Sequence, residues 1–312
     1  MEKIKIIYIA GYGRSGSTLL ERILGEFEGF FSAGELWLIW ERSFLENQLC
    51  GCGKPFNSCD FWREVVEKAF GKISSSDVIN ILKLRNSVQR MRYIPFLLFP
   101  KIRFRDFDFR LKNYIQILSK LYTSIAKVAS CNIIIDSSKV PLHAFVLLNL
   151  KNIELNVIHL VRHSCAVAYS WQRKKIRPEI TNKIVYMPRY SSFKSAFEWN
   201  KINLLFLVTK KMFNNYIFVK YEDLVSSPDK IIGIILKKFG IKRDVSNILQ
   251  KNILTLTENH TVSGNPMRFK KGKIEIKYDK EWHQKMSFSQ RLIVSTFTLP
   301  LLLKFNYNLV KQ

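Results

Sequence analysis

The chain lacks any apolar run approaching the ~20 residues needed to span a bilayer. Its longest candidate, residues 292–303, is too short and is interrupted by Pro300. No secretory leader is visible either: Met1-Glu2-Lys3-Ile4-Lys5 runs straight into a short apolar segment with no small-residue cleavage site after it. A cytoplasmic location without a transmembrane segment is the default expectation, and peripheral contact with a membrane stays open. Cysteine is scarce and odd in number, five in all, which excludes a secreted disulfide framework. Acidic residues are also short: 25 Asp and Glu face 50 Lys and Arg, a formal charge of +25. Such a surface attracts anions: nucleotides, acidic glycans, anionic lipid or nucleic acid. The joint richness in Lys, Ile and Asn can also reflect genome composition, so the charge alone assigns no site. Hydrophobic residues at 47% and charged residues at 24% are ordinary for a globular protein, so disorder is not the default expectation.

What is present reads as strands alternating with helices. Residues 5–10 form a continuous apolar run ending at Gly11, the pattern of a buried parallel strand. Leu19, Leu20, Ile23, Leu24 and Phe27 then recur at helical spacing over 17–27. Residues 29–62 read as irregular, and 75–129 as mostly helical with a break at 94–100 and an exposed basic connector at 101–110. Further strands are expected at 132–136, 155–161 and 216–221. Helices are expected at 141–150, 164–175, 191–212 and 227–240, then a polar loop over 255–282 and a closing helix. The order predicts an α/β fold of three layers: a central parallel sheet flanked by helices, with a phosphate-loop-like nucleotide site. One domain over 1–312, with a mainly helical insertion at about 63–130, is the expected organisation.

The loop Gly11-Tyr12-Gly13-Arg14-Ser15-Gly16-Ser17-Thr18 joins the first strand to the first helix. Backbone N–H groups and the helix dipole at such a junction favour an anion. Ser15, Ser17 and Thr18 add hydroxyls, Gly16 permits close approach, and Arg14 adds a charged fork. The spacing of Gly11 and Gly16 matches the triphosphatase loop, but Ser17 stands where that loop needs lysine. A phosphate-loop nucleotide kinase is therefore the second reading, and it lacks the residue that supports γ-phosphate chemistry.

Residues 13–20 resemble the 5′-phosphosulfate loop of sulfotransferases that use 3′-phosphoadenosine 5′-phosphosulfate (PAPS), in their bacterial-type branch. A second stretch, residues 161–170, places Arg162 and Ser170 as in that family's pair for the 3′-phosphate. Lys220-Tyr221-Glu222-Asp223-Leu224 resembles the strand-end segment whose tyrosine, here Tyr221, lies near the adenine. Residues 260–269 resemble a C-terminal element that turns Arg268 toward the nucleotide, with Lys270 or Lys271 assisting and Trp282 packing against it.

The resemblance also implies the chemistry. A sulfuryl group would pass from PAPS, a co-substrate needing no metal, to a hydroxyl or amine of an acceptor. Such an acceptor needs a base. Glu35, in a Gly-Glu pair after the first helix, corresponds to the base of the protein-tyrosine and related branches. Lys139 occupies the strand end where the cytosolic branch carries its lysine and catalytic histidine; no histidine stands there, which favours Glu35. His143 and His159 read as core residues, His163 as near the nucleotide and His260 as lining the active site.

Cys50, Cys52 and Cys59 look metal-like, but zinc wants four ligands and only three are local. No metal is expected on that count, and Asp60-Phe61-Trp62 reads as a packed anchor. The acceptor pocket is expected from residues 70–130 and 176–195. An acidic glycan, another carbohydrate, a small alcohol or a lipid headgroup would each suit it. A nucleic-acid-binding protein is disfavoured, because basic clusters do not explain two phosphate motifs at strand ends. The sequence is silent on oligomeric state.

Overall fold

A computed structural model describes residues 3–250 and 252–307. The chain runs β1 (Ile4–Ala10), α1 (Ser17–Gly25), β2 (Phe30–Gly34), α2 (Asp60–Phe70), α3 (Ser75–Val88), α4 (Ile94–Leu98) and α5 (Arg105–Val128). It continues β3 (Ile133–Lys139), α6 (Pro141–Leu147), β4 (Ile153–Val161), α7 (Ser164–Gln172), α8 (Ser192–Thr209), β5 (Asn215–Lys220), α9 (Tyr221–Ser226) and α10 (Pro228–Lys238). The last elements are β6 (Leu249–Gln250), β7 (Ile253–Leu256), β8 (Gly272–Glu275), α11 (Glu281–Lys285) and α12 (Phe288–Lys304).

Five strands form one parallel sheet in the order β2-β3-β1-β4-β5. Both faces of β1 are buried, which explains its unbroken apolar run. Ile6 and Tyr8 face one core with Ile134, Val157 and residues of α5 and α6. Ile7 and Ile9 face the other with Ile135, Ile158, Leu160 and residues of α1 and α10. The expected architecture of a parallel sheet between helical layers is what the chain adopts.

Three sequence expectations need correction. Residues 30–34 are a strand rather than irregular chain; only five residues long, it has no room to show a period. A 3-10 turn and a π-helical turn, Leu36–Leu38 and Ile39–Leu45, follow it. The supposed connector at 101–110 already belongs to α5 from Arg105, and Phe107 within it is fully buried. The polar loop at 255–282 contains β8, which pairs with β7, itself paired with β6, in a small antiparallel sheet. No helix among the described residues is long and apolar enough to cross a membrane.

Candidate active site

The carboxyl ends of all five parallel strands meet at one cleft of about 500 Å3. Arg14 follows β1, Glu35 follows β2, Lys139 ends β3, Arg162 follows β4 and Tyr221 follows β5, and each lines it. Ligands of open α/β sheets bind at this edge, where loops from neighbouring strands diverge.

The loop after β1 is built for close approach. Gly16 has φ +91, and a Cβ there would lie 2.4 Å from the Tyr221 ring. Gly16 is also the N-cap of α1 and offers no side-chain cap, and the first turn has no acidic residue. The orphan N–H groups of that turn are thus left for an anion. Ser17 and Thr18 line the cleft, while Ser15 is buried beneath it with a hydroxyl that has no partner among the described residues.

Arg14 lies with its guanidinium 4.6 Å from the centre of the Trp171 ring. Burial draws its pKa below the usual arginine value, and the Glu35 carboxylate opposes that drop. The Arg162 guanidinium sits over Tyr221 at 4.5 Å and donates to the Arg14 carbonyl at 3.4 Å, so the two basic loops touch. Asp279 lies 3.3 Å from Arg162 and 3.8 Å from Arg173. The Nε atoms of Arg14 and Arg162 are buried without partners among the described residues. Ser170, two turns into α7, lines the same cleft.

Lys139 and Glu35, which also line the cleft, form an ion pair of 2.8 Å. Glu21 lies beneath it, fully buried. Its carboxylate accepts from the Gly34 N–H at 2.6 Å and from the Ser137 hydroxyl at 2.7 Å. It thereby ties the end of β2 to the end of β3. Burial pushes its pKa up to about 7, against the lowering effect of those two hydrogen bonds. The sequence reading missed Glu21, whose helix shows an ordinary apolar stripe.

The walls come from a segment between α7 and α8. Ile176 and Tyr186 pair as an antiparallel bridge, and Lys175, Arg177, Glu179, Met187 and Tyr190 face the cleft. Eight cationic side chains against four carboxylates line the whole. The crowding is felt: burial first, then repulsion from Arg173 and Arg14, draws the Lys175 pKa down. Of residues 176–195, expected in the acceptor pocket, Arg177, Glu179, Met187, Pro188 and Tyr190 line this cleft. None of residues 70–130, also expected there, reaches this cleft.

Other placements also differ. Arg268 does not face the cleft: it is 1% exposed and donates to the Thr261 and Leu49 carbonyls at 2.6 and 2.7 Å. Two backbone acceptors hold its guanidinium inward, and Lys270 lines the cleft instead. Trp282 packs on His163 and His283 rather than on the 260–269 segment. His260 turns away to Cys50 and Cys59. His143 and His159 are core residues, and burial holds the pKa of His159 down to about 4 and that of His163 to about 3. Asp136 is fully buried against Tyr122, Ser138 and His143, outside the cleft.

Among curated proteins, none matches the chain. Among solved structures it is similar to the sulfotransferase domain from the curacin biosynthetic pathway (15% identity, 96% of this chain and 99% of that one, TM-score 0.47). It is similar to the sulfotransferase domain of the Synechococcus PCC 7002 olefin synthase (18% identity, 99% and 96%, TM-score 0.45). It is also similar to the sulfotransferase STF9 from Mycobacterium avium (9% identity, 100% and 79%, TM-score 0.49). A family model described as "Sulfotransferase domain" matches residues 5–302, nearly the whole length, and the chain therefore belongs to the sulfotransferase domain family.

Proposed function

We propose that the chain transfers a sulfuryl group from PAPS to a hydroxyl, or an amine, of an acceptor such as a carbohydrate. One observation carries the reading: two basic loops, after β1 and β4, touch at the cleft and leave the buried Ser15 hydroxyl and the Arg14 and Arg162 Nε atoms without partners among the described residues. Buried polar atoms are rarely left unsatisfied, so these donors suit a ligand rich in anionic oxygens.

In this reading Arg14, Ser15, Gly16, Ser17 and Thr18 hold the 5′ end of the nucleotide with the α1 N-terminus. Arg162 and Ser170 hold the 3′-phosphate, and Tyr221 flanks the adenine. When bound, the donor supplies the sulfuryl group, whose bond to the phosphate oxygen breaks as the acceptor oxygen bonds to sulfur. Glu35 takes the proton from the acceptor. Lys139, 2.8 Å from Glu35, holds that carboxylate in place and sets a positive charge where negative charge develops. Positioning and charge stabilisation dominate such transfers. The basic walls, with Lys175 and Arg177, suit an acidic glycan or another anionic alcohol as acceptor.

Isothermal titration with adenosine 3′,5′-bisphosphate tests the reading. Wild type should bind, and Arg14→Ala and Arg162→Ala should each weaken binding at least tenfold, the loss of about 1.4 kcal/mol or more expected of a charge-assisted contact. Failure of wild type to bind, or full affinity in both variants, would overturn it. ATP hydrolysis without a response to PAPS would favour the kinase reading instead.

A further inference from the structure

Outside the cleft, Cys50, Cys52, Cys59 and His260 bring their ligand atoms within 4.8 Å of one another. We infer that they form a closed, structural zinc site. The sequence count stopped at three cysteines; the fold supplies the fourth ligand from a residue 201 positions after Cys59.

The geometry fits a zinc ion closely. Zinc bonds to thiolate at ~2.3 Å and to imidazole at ~2.0–2.1 Å, so a tetrahedron has sulfurs about 3.8 Å apart and sulfur and nitrogen about 3.6 Å apart. Cys52 and Cys59 sulfurs lie 3.7 Å apart. His260 Nδ1 lies 3.7 Å from the Cys50 sulfur and 3.3 Å from that of Cys59. All five cysteines are free thiols, so no disulfide uses these sulfurs. A set of Cys3His with no open position is the donor chemistry of structural zinc.

The surroundings hold the ligands in place. Cys50 and Cys52 sit in a tight turn: the Cys50 N–H donates to the Lys54 carbonyl at 2.8 Å, and the Gly53 N–H to the Cys50 carbonyl at 2.9 Å. Cys59 is the N-cap of α2. The His260 ring stacks on Phe61 at 5.0 Å, and its carbonyl accepts from the Trp62 indole at 2.7 Å. Asp60-Phe61-Trp62 thus anchors the histidine as well as the helix. Binding converts three thiols to thiolates and releases their protons to solvent, and the ion takes the sulfur and nitrogen lone pairs.

The site would act as a staple beside the active site. Two residues after His260, Val262 forms a bridge with Gly34, and its carbonyl accepts from the Glu35 N–H at 2.8 Å. The Gly51 N–H donates to the Thr261 carbonyl at 3.0 Å. A metal that joins residues 50–59 to His260 therefore fixes the segment that positions Glu35. This inference stands whether or not PAPS is the donor.

The test is metal analysis of the full chain purified under reducing conditions without chelator. About one zinc per chain is expected, and the thiol-specific control Cys131→Ser should keep it. Cys59→Ser and His260→Ala should lower zinc affinity at least about tenfold, since even outer-shell partners cost that much. Should a variant fail to fold, wild type exchanged with cobalt(II) still decides: the intense visible bands of tetrahedral cobalt–thiolate ligation support the site. Metal-free wild type that takes up no zinc on reconstitution would overturn it. So would an octahedral cobalt spectrum, iron in place of zinc, or unchanged zinc affinity in His260→Ala. A disulfide among Cys50, Cys52 and Cys59 in freshly reduced, mass-mapped protein would overturn it too.

Discussion

Lys139 Nζ lies 2.8 Å from Glu35 Oε1, and the pair joins the ends of two neighbouring strands, β3 and β2. Lys139 reaches it from a left-handed backbone, φ +66, which an L residue adopts at a cost. The two side chains are only 14% and 17% exposed, so neither is an ordinary surface group. If Glu35 is the base, Glu35→Gln should lower kcat by about 10²–10⁴-fold, the usual worth of a positioned base. Affinity for adenosine 3′,5′-bisphosphate should stay within about threefold, since the amide removes charge and leaves the nucleotide loops alone. Single-turnover rates beside calorimetric binding check this; a rate within tenfold of wild type would remove Glu35 from that role.

A different exchange involves Asp279. Its carboxylate sits 3.3 Å from Arg162 and 3.8 Å from Arg173; burial works to raise its pKa, but the Glu281 N–H, Arg162 and Arg173 hold it below the usual value. A phosphate arriving at Arg162 must compete with that charge. Asp279→Asn should therefore tighten adenosine 3′,5′-bisphosphate binding by about threefold to tenfold at low salt, with the gain shrinking as salt screens it. Titration at two ionic strengths reads this directly. Weaker binding would mean that Asp279 orients Arg162 for the ligand rather than opposing it.

What the sequence made legible and what it hid divide along range. The glycine loop and the Arg162/Ser170 pair are local patterns at strand ends, and local patterns survive folding. Glu35 and Lys139 were each marked by a neighbour, Gly34 and the following Pro141, but their pairing across 104 residues was not. Glu21 was hidden because α1 is buried almost all round, so its apolar stripe no longer marks the inward side. Arg22 beside it donates to the Thr257 carbonyl at 2.6 Å, which shows the helix covered on a second side. Arg268 was misplaced because motif order says nothing about which way a guanidinium turns. The fourth member of the cysteine cluster, His260, could only come from tertiary structure.

Gly16 tests the close packing of the nucleotide loop. A methyl group there would meet the Tyr221 ring at 2.4 Å, on a backbone with φ +91. Gly16→Ala should destabilise the chain by about 1–3 kcal/mol through overpacking and left-handed strain. Adding Tyr221→Leu should recover only the part due to the clash, because the strain stays. Denaturant midpoints of the single and double variants separate the two parts; no loss in Gly16→Ala would mean the loop has room that these contacts deny.

Glu21 gives a pH signature that no surface carboxylate would. Burial raises its pKa from an ordinary 4.5 to about 7, although Ser137 and Gly34 both donate to it. The native state therefore holds a proton that the unfolded chain releases between those values. Where the native state binds more protons, stability falls as pH rises. This contribution is complete below about pH 4.5 and is lost as pH climbs through about 7, a span worth about 3 kcal/mol. Glu21→Gln keeps the shape and cannot ionise, and the Ser137 hydroxyl can turn to accept from the new amide. The variant should match wild type near pH 4 and gain on it by about 1–3 kcal/mol near pH 8. Paired denaturation curves at the two values read the difference, which isolates Glu21 from every other titrating group. An equal offset at both pH values would show that Glu21 keeps its charge throughout.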